Sequence, residues 1–190
     1  MGLSVSPEEY VELERKLGRK HEYCAGRMVE MPGASATHAQ LQVHLTCCLD
    51  QREAGGRFSV YSSDFRIVIE VGNMATYPDL SIVCGPVRAS QRYRHSCTNP
   101  TVLFEVLSPE TERYDRGAKF EQYRKLESLR EYVLVSQHAA SVDLFRLENG
   151  HWVLYEVRGQ EAVLELTSIG IEVPMADLYY NVRFEDAETD

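Results

Sequence analysis

One carboxylate stands in a strand that has little room for it. The segment Val102-Leu103-Phe104-Glu105-Val106-Leu107 is apolar on both of its alternating faces, which is the pattern of a strand covered by protein on each side. A chain that contains it needs structure layered above and below a sheet. Alternation sets Leu103, Glu105 and Leu107 on the same face, so Glu105 is not the outward member of a half-exposed strand. An ionised carboxylate withdrawn from water is costly, and it is tolerated when protonated, paired with a base such as an arginine, or bound to a cation. The sequence leaves all three open.

The rest of the composition supplies the means to bury such a strand. The chain has 190 residues, 44% hydrophobic and 26% charged, and a chain of this size buries roughly 70% of the surface it exposes when unfolded. No repeat or composition break divides it, so one domain over residues 1–190 is expected. Twenty basic against 29 acidic side chains leave a net charge of −9. That excludes a global field drawing the molecule to nucleic acid or an anionic membrane, and any such contact must come from a local basic patch. Cys24, Cys47, Cys48, Cys84 and Cys97 are odd in number and form no C-x-x-C pair, which argues for reduced thiols in a cytoplasm and against a zinc site. Met1 to Tyr10 lacks the pattern of a secretory signal, and no run of 18 apolar residues suggests a membrane span.

Local signals give an order of elements. Ser6, Pro7, Glu8 and Glu9 start a helix running to about Leu17. His21 to Met31 reads as a hairpin around Ala25-Gly26, and Ala36 to Glu53 as a longer helix ended by Gly55-Gly56. Strands are expected over Phe58 to Val71, Tyr77 to Cys84 and Thr101 to Leu107, with a polar loop holding Arg88, Arg92, Arg94 and His95 between the second and third. Ser108-Pro109 reads as a cap and first helical residue, with a helix from about Arg113 to Leu126. Arg130 to Ser136 is a buried strand, and Val142 to Leu147 pairs with Trp152 to Val157 across Glu148-Asn149-Gly150. Val163 to Leu166 adds a strand before a polar C-terminal tail. The core order of helix, three strands, helix and strand implies an α/β (α+β) fold, a mixed central sheet flanked by helices with hairpins added at both ends.

Two further residues join Glu105 as candidates. Asp79 follows Pro78 at the mouth of the preceding strand, where the missing N–H ends the ladder and a ligand can reach the sheet end. If the two strands pair, Asp79 and Glu105 face one cavity, an oxygen-rich arrangement suited to Mg²⁺ or Mn²⁺; read alone, Asp79 is equally a turn or cap aspartate. Asp115, Lys119 and Tyr123 fall at i, i+4 and i+8 of the following helix. That spacing reads as a surface Asp–Lys pair or as an ammonium brought over the sheet.

Taken together, Lys20-His21-Glu22-Tyr23 with Gly26, Gly33-Ala34-Ser35 with His38, Tyr77-Pro78-Asp79, Phe104 to Pro109 with Thr111, then Asp115, Lys119, Tyr123 and Arg130 to Val135 resemble the Uma family. That family belongs to the PD-(D/E)xK nuclease superfamily of restriction-endonuclease-like folds, and the resemblance covers about residues 5–180. It implies a restriction-endonuclease-like core in which Asp79 and Glu105 hold Mg²⁺. Leu107 stands where the superfamily motif has its lysine, and in members whose lysine has moved to the next helix the matching position is Lys119. Ala25-Gly26-Arg27 departs from the Asp-Gly-Glu of relatives. The resemblance also admits Glu22 as a further carboxylate, with Asp64, His38 and Tyr123 as additional candidates; an exposed hairpin carboxylate and an ordinary helix histidine are the plain alternatives.

The expected function is therefore metal-dependent hydrolysis of phosphodiester bonds in DNA. The ion activates water and offsets transition-state charge, and Lys119 orients that water or stabilises the oxyanion. Arg88, Arg92, Arg94, Arg113, Arg116 and Lys125 would meet phosphates, and a homodimer would suit two cuts in a duplex. Two rivals stand beside it: an inactive member serving as a binding or assembly module, favoured by Leu107 and the net charge, and a hydrolase acting on RNA or nucleotides.

Overall fold

The structure is a computed structural model describing residues 3–53 and 55–184. Met1 and Gly2, part of the segment read for a signal, and residues 185–190, the end of the expected polar tail, lie outside the described residues.

Strand β1 (Leu3–Ser4) leads into α1 (Pro7–Leu17), where the Ser6 hydroxyl accepts from Glu9 N and the Glu9 carboxylate from Ser6 N. This reciprocal capping box fixes the helix start. β2 (His21–Cys24) and β3 (Arg27–Glu30) form the first hairpin, and α2 (Ala36–Asp50) starts at a Ser35 cap. Next come β4 (Phe58–Ser62), β5 (Arg66–Ile69), β6 (Met74–Thr76), β7 (Leu80–Cys84), β8 (Ser96–Cys97) and β9 (Val102–Val106). The following helical segment, α3, is composite: a turn Glu112–Tyr114, a π-helical stretch Asp115–Lys119 and a closing turn Phe120–Tyr123. β10 (Glu131–Val135), β11 (Ser141–Glu148), β12 (His151–Arg158), β13 (Val163–Leu166), β14 (Ile171–Pro174) and α4 (Met175–Leu178) complete the order.

The central sheet runs β12-β11-β10-β9-β7-β4, with β9 and β10 parallel and its other pairs antiparallel. Segment α3 is the crossover between the two parallel strands, which such a pair requires. One face of the sheet packs Phe104, Val106, Leu80 and Val133 against Leu41, Leu45 and Leu49 of α2 and against β14 and α4. The other packs Leu103, Leu107, Tyr132 and Leu134 against Phe120 and Tyr123 of α3 and against Ile67, Ile69 and Met74. The β9 strand is thus buried on both faces, and Glu105 shares the α3 face with Leu103 and Leu107, as alternation requires.

Several expectations are corrected. Phe58 to Val71 is two strands, because Ser62-Ser63-Asp64 turns the chain, with Phe65 N donating to Ser62 O at 3.0 Å. β4 joins the central sheet, whereas β5 enters a second six-stranded sheet, β1-β3-β2-β6-β5-β8, where the reading had only added hairpins beside the centre. α2 stops at Asp50, and the Arg52 and Glu53 amides close back onto Leu49 O, so the Gly55-Gly56 pair does not end it. Ser108-Pro109 opens a turn rather than the helix: Thr111 N and Glu112 N both return to Ser108, and the helix ends at Tyr123 rather than Leu126. Past Leu166 the chain is not a polar tail, since Ile171, Val173, Met175 and Leu178 are buried in the α2 side of the core.

Both hairpins turn through left-handed pairs, Asn149-Gly150 at φ 50° and 83° and Ala25-Gly26 at φ 48° and 92°. Asparagine tolerates that region and alanine does not. Replacing the exposed Ala25 by Asn should stabilise the protein by about 0.5–1 kcal/mol, read as a rise of roughly 1–4 °C in melting temperature; a fall would show that the turn needs alanine for another reason.

Asp143 on β11 pins α3 in place. Its Oδ2 accepts from Arg116 at 2.5 Å and its Oδ1 from Arg158 at 2.5 Å. Burial pushes the carboxyl up, but the two guanidinium groups outweigh that and hold it below the usual carboxylate range. A folded-state pKa below the unfolded one contributes stability above the ordinary value, and this is lost as pH falls through the folded value. Asp143→Asn should therefore lower stability by about 1–2 kcal/mol at pH 7, and denaturant titrations should show the gap closing below roughly pH 4. A gap that persists in acid would mean that charge is not what the pair contributes.

Candidate active site

Glu105 is 4% exposed, and what holds it is neither solvent nor an arginine. Lys119 Nζ lies 2.8 Å from Glu105 Oε1, and the Tyr123 hydroxyl donates to the same oxygen at 2.7 Å. Both partners come from α3. The π-helical stretch turns Asp115 and Lys119, its first and last residues, into the sheet, while Arg116 points out to Glu112 and Asp143. Lys119 is thus not the surface pair that its spacing allowed: it is 5% exposed, and Asp115, 2% exposed, sits with Oδ1 3.2 Å from its Nζ. That Asp115 oxygen is buried without a hydrogen bond of acceptable geometry.

Asp79 stands one residue before Leu80, which pairs with Phe104 in the β7–β9 ladder, so the register carries Asp79 opposite Glu105. Its Oδ2 accepts from Val106 N at 2.6 Å, and its Oδ1 from Gln42 at 2.6 Å. His38 Nε2 lies 2.9 Å from that same Oδ1. His38 and Gln42 are one helical turn apart on α2, and the Ser35 cap, whose Oγ accepts from His38 N at 3.0 Å, sets where that helix begins. Ser35 in turn donates to Gln137 at 2.5 Å, and Gln137 donates to Leu107 O at 2.6 Å. The Gly33-Ala34-Ser35 turn is thereby tied to the end of β9. His38 is consequently not an ordinary helix histidine.

Glu22, half-buried on β2, accepts from Thr76 at 2.7 Å and from the Tyr114 hydroxyl, and its charge acts on Lys119. It is not a free hairpin carboxylate. Asp64 does not reach the site, because its carboxylate is exposed and paired with Lys20 at 2.6 Å. Among the basic candidates, Arg116 is already bound to Glu112 and Asp143, and so its charge is spent within the fold. Arg88, Arg92, Arg94 and Arg113 are exposed, and exposed Lys125 donates to Gln122 at 2.8 Å. The reading overlooked Gln42, Tyr114 and Gln137; the i, i+4 spacing of Gln42 from His38 was the one signal available.

The electrostatics show a surplus of negative charge. Burial, with Asp115 and Asp79 nearby, raises the Glu105 carboxyl to about 8 against the pull of Lys119. For Lys119, burial works to remove the proton, yet Glu105, Asp115 and Glu22 outweigh it and its pKa lies above the ordinary lysine value. Burial and the Glu105 charge raise the Tyr123 hydroxyl well above its usual range, so it stays a donor. One ammonium does not balance these carboxylates. The hard oxygen donors of Asp79 and Glu105 fit a cation such as Mg²⁺, which binds through one or two carboxylates and keeps several waters. Among the described residues no group of three or more His, Cys, Asp or Glu side chains is placed so as to hold a metal ion. No helix among the described residues is long and apolar enough to cross a membrane.

Comparison with known proteins adds lineage to this geometry. A family model described as "Uma2: Putative restriction endonuclease" matches residues 7–176. The chain is 34% identical over 181 residues to "Uncharacterized protein slr1290" of Synechocystis sp. PCC 6803, covering 95% of this chain and 94% of that one. It is 28% identical over 164 residues to "Uncharacterized protein sll1609" of the same organism, covering 86% and 93%. Its fold resembles a crystal structure from Anabaena variabilis described as "a putative nuclease belonging to DUF820", with TM-score 0.67 and 14% identity over 85% of this chain and 90% of that one. At that identity the likeness is one of fold, and it agrees with a restriction-endonuclease-like, mixed α+β architecture. The family match runs from the first residue of α1 into α4, nearly the whole described fold, and the chain belongs to the Uma2 family.

Proposed function

We propose that this protein is a metal-dependent nuclease that hydrolyses phosphodiester bonds in DNA, with Asp79 and Glu105 as the carboxylates that hold Mg²⁺ or Mn²⁺ and Lys119 as the ammonium that orients the attacking water or stabilises the developing charge. The observation that carries the reading is the 2.8 Å approach of Lys119 Nζ to Glu105 Oε1. Leu107 occupies the motif position of the lysine, yet an ammonium from α3 arrives at the same carboxylate. When bound, the ion would supply positive charge against the phosphate and favour deprotonation of the attacking water.

The chain's own residues do the rest. Tyr123 holds the Glu105 carboxylate by its Oε1, and Gln42, Val106 N and His38 hold Asp79, so that both carboxylates are fixed before a ligand arrives. Preorganisation of this kind removes reorganisation from the barrier. Lys119, kept charged by its neighbours, orients a water or meets the developing negative charge on the phosphate. Exposed Arg88, Arg92, Arg94, Arg113 and Lys125 are the groups available for backbone phosphates. Leu107, together with the net charge of −9, favours a second reading, a binding or assembly module whose site no longer cuts.

Mn²⁺ separates the two. By mass action an ion at one hundred times its Kd stabilises the fold by about 2.7 kcal/mol, a rise of several degrees in melting temperature, and Asp79→Ala with Glu105→Ala should abolish it. Lys119→Met should keep the Mn²⁺ shift while lowering the rate of duplex cleavage by about 10²–10³. Absence of the shift in the unaltered protein would favour the module. RNA and single-stranded substrates, run in parallel, test the choice of DNA.

Binding to the phosphate backbone releases counterions, so affinity for duplex DNA should fall as salt rises, by an amount set by the few exposed arginines. Measured by fluorescence anisotropy from 50 to 200 mM salt, an affinity that does not change would remove these arginines from the interface.

A further inference from the structure

The proposed chemistry uses one of the two carboxylates that flank Lys119 and leaves the other without a task. Asp115 is as deeply buried as Glu105, faces the same ammonium at 3.2 Å, and has an Oδ1 with no hydrogen-bond partner. A buried unsatisfied oxygen in a native fold calls for an explanation. A packing role does not give one, because an apolar side chain of similar size would fill the space without an unmet acceptor. Segment α3 also departs from regular α-helix at this residue. The π-helical stretch begins at Asp115 and ends at Lys119, and such stretches occur disproportionately at functional sites.

Charge accounting identifies the task. Lys119 is balanced by Glu105 at 2.8 Å and Asp115 at 3.2 Å. Once Glu105 serves a divalent cation, that carboxylate no longer balances the ammonium, and the two positive charges repel beside a lysine that is 5% exposed. A lysine tied to Glu105 alone would have to be displaced before the cation could settle, and it would then leave the place where it is needed. We propose that Asp115 is a positioning residue: it takes over the Lys119 ammonium when a divalent cation claims Glu105, its Oδ1, already ion-paired with Lys119 at 3.2 Å but without a hydrogen bond, becoming the main acceptor, and keeps the charge beside the reacting phosphate. The inference rests on the reading of Glu105 as a cation ligand.

Mn²⁺ binding, measured by calorimetry on the full chain, tests it in four proteins: unaltered, Asp115→Asn, Lys119→Met and the double variant. Removing Asp115 leaves Lys119 competing with the cation for Glu105, so Asp115→Asn should weaken Mn²⁺ binding at least tenfold more when Lys119 is present than in the Lys119→Met background. Equal losses in the two backgrounds would overturn the proposal, since Asp115 would then act on the cation directly or on the fold. Asp115→Glu, which keeps the charge, should recover most of the affinity, and no recovery would count against it. Metal-free melting of each variant is read alongside, and Asp115→Ser carries the same comparison if the Asn variant does not fold. An unaltered protein that binds no Mn²⁺ would instead overturn the nuclease reading itself, and this inference with it.

Discussion

The ion pair between Lys119 and Glu105 sets conditions that the surrounding fold has to meet. Two charges withdrawn from water recover their desolvation penalty when geometry is good and the remaining valences are satisfied. The fold meets this on one side and not on the other. Glu105 gains Tyr123 as a second donor to Oε1, whereas Asp115, drawn in by the same lysine, keeps an oxygen that nothing fills. Packing alone would not select such an arrangement, because hydrophobic residues of equal volume usually serve stability as well or better. The pair is retained at the crossover between two parallel strands, next to the start of β7, which follows Pro78 and Asp79, and opposite the N-terminal turn of α2. Segment α3 and the residues before β7 meet β9 at the neighbouring residues Glu105 and Val106, and α2 reaches the same place through Asp79.

That convergence is held by a second set of contacts outside it. Asp143 binds Arg116 from the outer side of α3, so that the two sides of the π-helical stretch are fastened independently: Arg116 to β11, Lys119 to β9. Ser35 and Gln137 do the same for α2, linking the turn before the helix to the carbonyl of Leu107. The site is thus mounted on strands and helix ends rather than on mobile loops, which suits chemistry that depends on small tolerances. Glu131, fully buried, accepts from Arg146, Thr167 and Ser168 and ties β10 to the turn before β14. It is a second buried carboxylate whose partners are complete, and the contrast with Asp115 marks which of the two is structural.

Where local chemistry decided the outcome, the sequence was readable. Ser6 with Glu9, Asn149-Gly150 and the apolar run of β9 each fix their own conformation, and all three are as expected. Where partners distant in sequence decided it, the reading failed. Nothing local distinguishes Phe58 to Val71 as two strands, since the break at Ser62-Ser63-Asp64 matters only because β5 finds a place in another sheet. The π-helical stretch carries no period of its own, and the partners it presents on opposite sides, Glu105 for Lys119 and Asp143 for Arg116, are distant in sequence. Ile171-Glu172-Val173 did alternate, but four residues without a visible partner resemble a tail until Leu164 is placed beside Val173. For the candidate site, the strand pattern singled out Asp79 and Glu105, and helical spacing set Lys119 and Tyr123 on one side of their helix while leaving open whether that side faced solvent or the sheet. Gln42 showed only its i, i+4 spacing from His38, and Tyr114 showed nothing, because a tyrosine on a helix carries no mark of the carboxylate it will meet.

The acidic charge of the chain is the remaining tension, and the geometry suggests how it would be resolved. A protein of net charge −9 repels a polyanion at long range, and one of its candidate basic residues, Arg116, is already neutralised. On the proposed reading, the carboxylate surplus that leaves Glu105 inclined to keep a proton would also repel a phosphate that arrived without a cation. Phosphate and cation would therefore favour each other's binding, each neutralising charge that opposes the other. Free of cation, the site would be guarded against nucleic acid by its own carboxylates; with cation in place, Lys119, held by Asp115, would complete the change of sign. In such an arrangement negative charge in the protein is not an obstacle to acting on DNA but the means by which the cation sets when DNA can be engaged.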